Sequence, residues 1–156
     1  AESLCMHWNP DTLHAFYLGV MNTWCRVAVW ELLLSGVYGV RGTSQDLLTV
    51  YCLSLRVALF AWYPARRRDF PDEVLTQLND LTPAMVGSQW SPKCKTKASE
   101  TWAITLFVND MLLRFGHRLG DEALLLQEAG QSLVDIISVM RANGNVLPPT
   151  ARQDFQ

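Results

Sequence analysis

One segment, from about Ser99 to Leu119, follows a pattern that only a buried helix can satisfy. Between Trp102 and Phe115 it is apolar on nearly every side of a helix. Its polar residues, Thr101, Thr105 and Asn109, recur every four residues and therefore form one narrow line. A helix that is apolar almost all round must be covered by other elements, so the sequence predicts a central helix with the rest of the chain packed around it.

Hydrophobic spacing and capping signals predict four other helices, and no convincing strand pattern accompanies them. Ser35-Gly36 is expected to end the first of these helices and Pro64 the second. The four segments are about Thr12 to Leu34, Thr43 to Trp62, Phe70 to Leu81, and Asp121 to Arg141. A chain of 156 residues is the size of one domain. We predict an all-α bundle over residues 12–143, with an N-terminal extension at 1–11 and a flexible tail at 144–156.

Composition and motifs argue against several classes of function. The 13 Lys and Arg residues are outnumbered by 15 Asp and Glu residues, whereas proteins that bind nucleic acid usually carry a basic excess. No phosphate-binding glycine loop, nucleophile elbow or zinc-protease motif occurs, and Cys5, His7 and His14 match no zinc spacing. We therefore expect no nucleic-acid partner, no metal, no cofactor and no catalytic residue, and we do not expect an enzyme.

The cysteines and the apolar runs favour an intracellular protein. The cysteines are widely spaced, and Cys25 and Cys52 lie in apolar helical runs, where buried free thiols are common. The chain opens with no signal-peptide pattern, and no uncharged apolar run reaches the roughly 20 residues that a membrane span needs. These features predict free thiols, a reducing compartment and no transmembrane span.

Aromatic and apolar side chains are more numerous than a bundle of this size can easily hide. The chain has six Trp, six Phe and four Tyr residues. Trp62, Tyr63 and Phe70 cluster at the junction of the second and third predicted helices, and Trp90 and Trp102 flank the polar loop before the central helix. We expect part of this surface to line an exposed groove, which would suit an amphipathic helix, or a self-association surface.

Four segments together resemble the Bcl-2 family of apoptosis regulators over about Thr43 to Asn143. Leu55–Phe60 lies where the family keeps its own death-helix motif, and Arg66–Phe70 resembles the basic turn that follows that motif. Thr101–Leu106 lies where the family has Asn-Trp-Gly-Arg, of which the Trp is present here. Ser132–Ile137 is similar to the second helix of the family's central hairpin.

The resemblance implies a Bcl-2-like bundle in which a central apolar hairpin, about 99–119 and 121–141, is wrapped by amphipathic helices. It also implies a groove that captures the pro-death amphipathic helix of a host partner and so inhibits apoptosis. A compact chain without an anchor is most similar to viral members, which implies a place in the host cytoplasm or at the mitochondrial surface. The family's arginine is missing, so either Arg66, Arg67 or Lys97 replaces it or the chain does not bind in that way.

The resemblance and the apolar spacing together predict a set of partner-binding residues. They are Leu55, Leu59, Phe60, Trp62, Tyr63, Arg66, Arg67, Phe70, Val74, Leu78, Trp90, Trp102 and Leu106. A charge at Leu78 is expected to abolish binding and to leave the helices intact. The alternative is a homodimeric all-α adaptor or structural protein that uses the same apolar surface for self-association.

Overall fold

The computed structural model describes residues 13–38 and 45–143. Within these ranges the chain is mostly helical, which confirms the predicted all-α class, and its sheet is a two-stranded hairpin. The predicted extension at 1–11 and tail at 144–156 lie outside the described residues. The predicted beginnings of the first two helices, at Thr12 and Thr43, also lie outside them.

Helix α1 consists of a π-helical part, Leu13–Met21, that continues directly into an α-helical part, Asn22–Leu34. It ends as predicted, because the Ser35 N–H bonds to the Glu31 carbonyl and Gly36 adopts a φ of 72°, which costs glycine little. The α-helical part is buried on more than one side, at Trp24, Cys25, Ala28, Val29, Trp30, Leu32 and Leu33.

Helix α2, Gln45–Asp69, runs through Pro64, so the prediction that Pro64 ends this helix is wrong. Pro64 lies on the exposed side of α2. Proline has no N–H, so the carbonyl of Phe60, four residues earlier, lacks its helical donor. On the exposed side this carbonyl can bond to water instead. An ion pair between Arg66 and Glu73 holds the turn that follows the proline.

Residues 70–82 form an irregular connection, so the helix predicted over Phe70 to Leu81 is wrong. A hydrogen bond to another element replaces a helical one here, because the Leu78 N–H donates to the Tyr63 hydroxyl at 3.0 Å. The apolar 3-4 spacing does not mark a buried face, since Val74 is 82% exposed whereas Leu78 is buried.

A short helix and a hairpin follow this connection. Helix α3, Pro83–Val86, leads into two antiparallel strands, β1, Gly87–Ser88, and β2, Ser91–Pro92. The indole N–H of Trp30 in α1 donates to the carbonyl of Val86 at 2.9 Å. This bond attaches the end of α3 to α1.

Helix α4, Ala98–Phe115, is the central helix that the sequence predicts. All its residues from Thr101 to Asn109 are buried, as are Met111 and Leu112. A 3-10 turn, Gly116–Arg118, connects it to the last helix.

Helix α5, Asp121–Asn143, packs on the outside of α4. Leu124 and Leu125 are exposed. Among the described side chains of α5, the buried positions are Ala123, Gly130, Leu133 and Ile137. The predicted central hairpin therefore exists as two adjacent helices, of which α4 is enclosed and α5 is largely peripheral.

The polar line of α4 is compatible with burial because most of its polar groups have hydrogen-bond partners, although Oδ1 of Asn109 is buried without one. The Thr105 hydroxyl donates to the carbonyl of Thr101 at 2.8 Å, and the Thr101 hydroxyl donates to the carbonyl of Lys97 at 3.0 Å. The Asn109 amide donates to the side chain of Gln131 on α5 at 3.0 Å. Threonines that bond to their own helix in this way can be enclosed at little cost.

Gly130 allows α5 to approach α1 and α4 closely. A Cβ atom on Gly130 would lie 2.6 Å from Oδ1 of Asn109 and closer still to the Trp24 ring. Trp24 cannot move away freely, because its indole N–H donates to the carbonyl of Leu126 at 2.8 Å. The three-helix junction therefore has no room for a side chain at position 130.

We expect Gly130→Ala to lower the free energy of unfolding by about 1–3 kcal/mol, the usual cost of overpacking. Urea denaturation followed by circular dichroism measures the change. Gly120→Ala is the matched control, since a Cβ there meets nothing within 4 Å. A Gly130→Ala chain as stable as the Gly120→Ala chain would contradict the close approach.

Candidate interaction surface

The outward side of α2 carries a row of exposed apolar residues, which we call the α2 stripe. Its members are Val50, Leu53, Val57 and Phe60, exposed by 44%, 45%, 68% and 36%. They follow the alternating 3-4 spacing with which one helix packs along another. At 1.5 Å per residue the stripe is about 15 Å long, close to three helical turns.

The α2 stripe is unusual because the opposite side of the same helix is also apolar. The residues of α2 that face the core are Leu48, Tyr51, Cys52, Leu55, Leu59 and Tyr63. Within the described stretch from Thr49 to Pro64 the one charged residue is Arg56, and it pairs with Asp80 at 2.7 Å. A surface helix normally presents polar residues to water, so a contiguous apolar face indicates an interaction surface.

At the C-terminal end of α2, Arg66 connects three parts of the chain. Its guanidinium makes two hydrogen bonds to the Glu73 carboxylate, at 2.6 and 3.1 Å, and lies 3.7 Å from Asp110 on α4. It also lies 3.9 Å from the centre of the Phe70 ring. The Arg66 side chain is 15% exposed. Arg66 is therefore occupied within the fold.

Trp62 and Tyr63 hold the same end of α2 against its neighbours. The Trp62 indole N–H donates to Asp110 at 2.7 Å, and its ring meets Phe107 edge-on at 5.8 Å. The Tyr63 hydroxyl accepts from the Leu78 N–H. Burial raises the pKa of Tyr63 above its ordinary value, so this hydroxyl stays protonated at neutral pH. Tyr63 is therefore part of the core, and the half-buried Trp62 packs against it, so neither ring is a free anchor for a partner.

Two other arginines remain accessible at this end of α2. Arg67 is exposed and donates a 3.3 Å hydrogen bond to the side chain of Gln77. Arg68 is 76% exposed and pairs with its neighbour Asp69. By helical spacing, Arg67 and Arg68 follow Pro64 along the direction of the α2 stripe. The stripe therefore ends at an accessible pair of cations.

The structure divides the predicted partner-binding residues between core and surface. Those at most 3% exposed are Leu55, Leu59, Tyr63, Leu78, Trp102 and Leu106. The exposed or half-buried ones are Phe60, Trp62, Arg66, Arg67, Phe70, Val74 and Trp90. A charge at Leu78 would enter the core, so that substitution cannot separate binding from folding. Phe60 belongs to the α2 stripe, and Trp90 lies on the turn of the β1–β2 hairpin at 90% exposure.

Val50, Leu53 and Val57 are the members of the α2 stripe that the sequence reasoning missed. Their spacing with Phe60 is visible in the sequence. Because α2 is apolar on two opposite sides, this spacing does not reveal which side faces outwards. Only the position of α2 relative to α4 answers that question.

A second apolar surface lies between α1 and α5. It encloses a cavity of about 560 Å³ that is open to solvent. The cavity is lined by His14, Ala15, Gly19, Val20, Thr23, Trp24, Val27 and Leu126. Among the residues that the structure describes, no group of three or more His, Cys, Asp or Glu could hold a metal ion. Cys5 and His7 lie outside those residues.

Two described helical segments, Leu47–Asp69 and Asp121–Ala142, are long and apolar enough to cross a membrane, by length and composition alone. Their most apolar windows have mean hydropathies of 1.4 and 1.2. The core helix of a soluble protein can pass the same test, so this is weak evidence. The absence of a transmembrane span stays a prediction.

Comparisons with known proteins add no relative to this description. No protein-family model matches the chain, and neither the curated proteins nor the solved structures contain a match.

We expect Arg66→Ala to lower the free energy of unfolding by about 2 kcal/mol, because it leaves the mostly buried Glu73 carboxylate without its cation. Urea denaturation measures this loss. Arg68→Ala removes an equally charged but 76% exposed side chain and should cost less than about 0.5 kcal/mol. Similar losses in the two variants would show that Arg66 does not join the elements.

Proposed function

We propose that this chain is a non-catalytic protein that captures an amphipathic helix on the α2 stripe. The observation that carries the proposal is the uncharged apolar face of α2, exposed at Val50, Leu53, Val57 and Phe60. Exposed apolar residues at this 3-4 spacing suit packing against the apolar row of another amphipathic helix. Each anchor that becomes buried contributes about 1.5–3 kcal/mol before the costs of ordering the two partners.

In this proposal the accessible arginines fix the orientation of the bound helix along the α2 stripe. Arg66 is engaged by Glu73 and Asp110, whereas Arg67 and Arg68 are accessible beyond Pro64. We assign them the role of meeting an acidic residue at one end of the bound helix. A charge pair at the edge of an interface sets register and association rate more than affinity.

The resemblance to the Bcl-2 family supplies the class of ligand in this proposal. Family members bind pro-death helices, in which an apolar row is accompanied by an Asp that pairs with a receptor arginine. Capture of such helices would inhibit apoptosis. A viral source and a place in the host cytoplasm or at the mitochondrial surface belong to the same proposal and rest on the same resemblance. The Bcl-2 fold itself is proposed on the all-α class and on the α4–α5 pair.

Self-association is the second function that a specific observation favours. Together with the exposed Pro64 that follows it, the α2 stripe is nearly symmetric about Val57, with apolar positions at 50 and 53 on one side and at 60 and 64 on the other. Two copies could therefore pair antiparallel through the same face. Four side chains on one helix cover much less than the about 800 Å² per partner that a stable dimer buries, so capture of a separate helix is the stronger proposal.

We expect Val57→Glu to weaken the binding of labelled pro-death helix peptides at least about tenfold, because it places a charge in the middle of an apolar contact. Fluorescence anisotropy measures the affinity. Leu113→Glu is the matched control, since Leu113 is 69% exposed on α4 and Val57 is 68% exposed on α2. Circular dichroism should show both variants folded.

The wild-type chain decides between the two functions. Saturable peptide binding by a monomer supports helix capture. Self-association is supported instead if light scattering finds a dimer that Val57→Glu dissociates and Leu113→Glu does not. A monomer that binds none of these peptides overturns both. If the chain binds no peptide but associates with neutral lipid vesicles, and Val57→Glu abolishes that association, the α2 stripe is a membrane-binding surface instead.

We also expect Arg67→Glu to reduce peptide affinity by about three- to tenfold and to make that affinity less sensitive to added salt. The reason is that a cation at the edge of the interface acts mainly through long-range attraction, which salt screens. Titrations at low and high salt measure both effects. Arg118→Glu, on the 3-10 turn after α4, is the control of equal charge change. Equal losses in the two variants would mean that net charge, rather than Arg67, acts on the ligand.

A further inference from the structure

Two cysteines from distant parts of the sequence lie side by side at the junction of α1 and α4. Cys25 belongs to α1, and Cys94 lies between β2 and α4. The amide of Asn22 donates to the backbone carbonyl of Cys94 at 2.6 Å. Since Asn22 and Cys25 are three residues apart on one helix, they share a face, and this bond holds the backbone of Cys94 over the face that carries Cys25.

Threonine hydroxyl groups contact both thiols. The Cys25 sulfur lies 3.3 Å from the Thr105 hydroxyl, and the Cys94 sulfur lies 3.5 Å from the Thr96 hydroxyl. Thr96 in turn bonds to the Thr101 hydroxyl at 2.7 Å. Thr101 and Thr105 occupy successive turns of the polar line of α4. Both sulfurs therefore border the same small polar region beside α4.

The two thiols differ in reactivity in a way that suits a sequential reaction. A hydrogen bond with Cys25 lowers the pKa of the Cys94 thiol; burial opposes this, and Thr96 and the positive charge of Arg26 lower it further. Burial raises the pKa of the Cys25 thiol well above its ordinary value, and Cys94 raises it further. Cys94 is half-buried and Cys25 is fully buried. An oxidant therefore reaches Cys94 first, in its more nucleophilic form.

We propose that Cys25 and Cys94 are a redox-active pair that closes to a disulfide when the chain meets a hydroperoxide. The Cys94 thiolate attacks one peroxide oxygen; the O–O bond breaks, hydroxide leaves, and Cys94 becomes a sulfenic acid. The Cys25 sulfur then attacks the Cys94 sulfur, the S–S bond forms, and the S–O bond breaks. The proton of the Cys25 thiol leaves with that oxygen as water. Overall, two thiols and one hydrogen peroxide give one disulfide and two waters.

Closing this bond would fasten the segment before α4 directly to α1. The closed loop runs from Cys25 to Cys94 and contains α2, α3 and the hairpin. A covalent loop of this length restricts the unfolded chain strongly, so the oxidised protein should melt at a higher temperature than the reduced one. A thiol reductant reverses the reaction by attack on the disulfide.

The experiment uses the full chain with Cys5→Ser and Cys52→Ser, so that only the pair can react. Cys52 is also a buried thiol, and burial raises its pKa to about 11. After treatment with hydrogen peroxide we expect loss of both free thiols, a mass lower by two hydrogens, and a cross-linked Cys25–Cys94 peptide after digestion. Reduction should restore the original mass. Circular dichroism before oxidation confirms the fold.

Two further variants make the result specific. With Cys25→Ser added, Cys94 should stop at the sulfenic or more oxidised acids, without a cross-link. With Asn22→Ala added instead, closure should slow by about five- to tenfold, because the backbone of Cys94 loses its tether. Three results would each overturn the proposal. The first is recovery of both thiols unreacted, and the second is an equal rate of closure with and without the Asn22→Ala change. The third is a wild-type chain whose cysteines pair in the same pattern when it is folded as when it is unfolded in urea.

Discussion

The enclosure of α4 is the constraint from which the other packing arrangements follow. Every residue from Thr101 to Asn109 is buried, and the helix can tolerate this because Thr101 and Thr105 donate to carbonyls of their own chain, one turn earlier. Threonine hydroxyls that bond to carbonyls of their own helix or its cap can be covered at little cost. Each neighbouring helix must then turn an apolar face inwards, and α1 and α2 do so with large aliphatic and aromatic side chains.

The candidate interaction surface arises because α2 has more apolar faces than the core can cover. One face, which includes Leu55 and Leu59, packs inwards. The opposite face, which includes Val57, stays in contact with water at 68% exposure. The free energy that burial of this second face would release is available to a partner. Arg66 keeps α2 in this orientation, because its bonds to Glu73 and its contact with Asp110 lie mostly within the fold.

The cysteine pair belongs to the same packing around α4 but to a different element junction. Cys25 reaches the polar line of α4 through Thr105, and Cys94 lies in the segment that leads into α4. The sequence predicts free thiols, and the described cysteines, Cys25, Cys52 and Cys94, are free. Their spacing gives no sign that two of them are neighbours, since a contact over about 70 residues depends on how α1 and the hairpin meet.

Patterns within a few turns of chain were sufficient to identify the enclosed helix α4 and the stop of α1 at Gly36, because they depend on side-chain spacing and on backbone conformations favoured locally. They failed at Pro64 and over Phe70 to Leu81, where ion pairs and hydrogen bonds to distant residues outweigh local propensity. Which side of α2 faces outwards also depends on tertiary packing. The two apolar faces of α2 are equivalent in the sequence, and they become different only when α4 covers one of them.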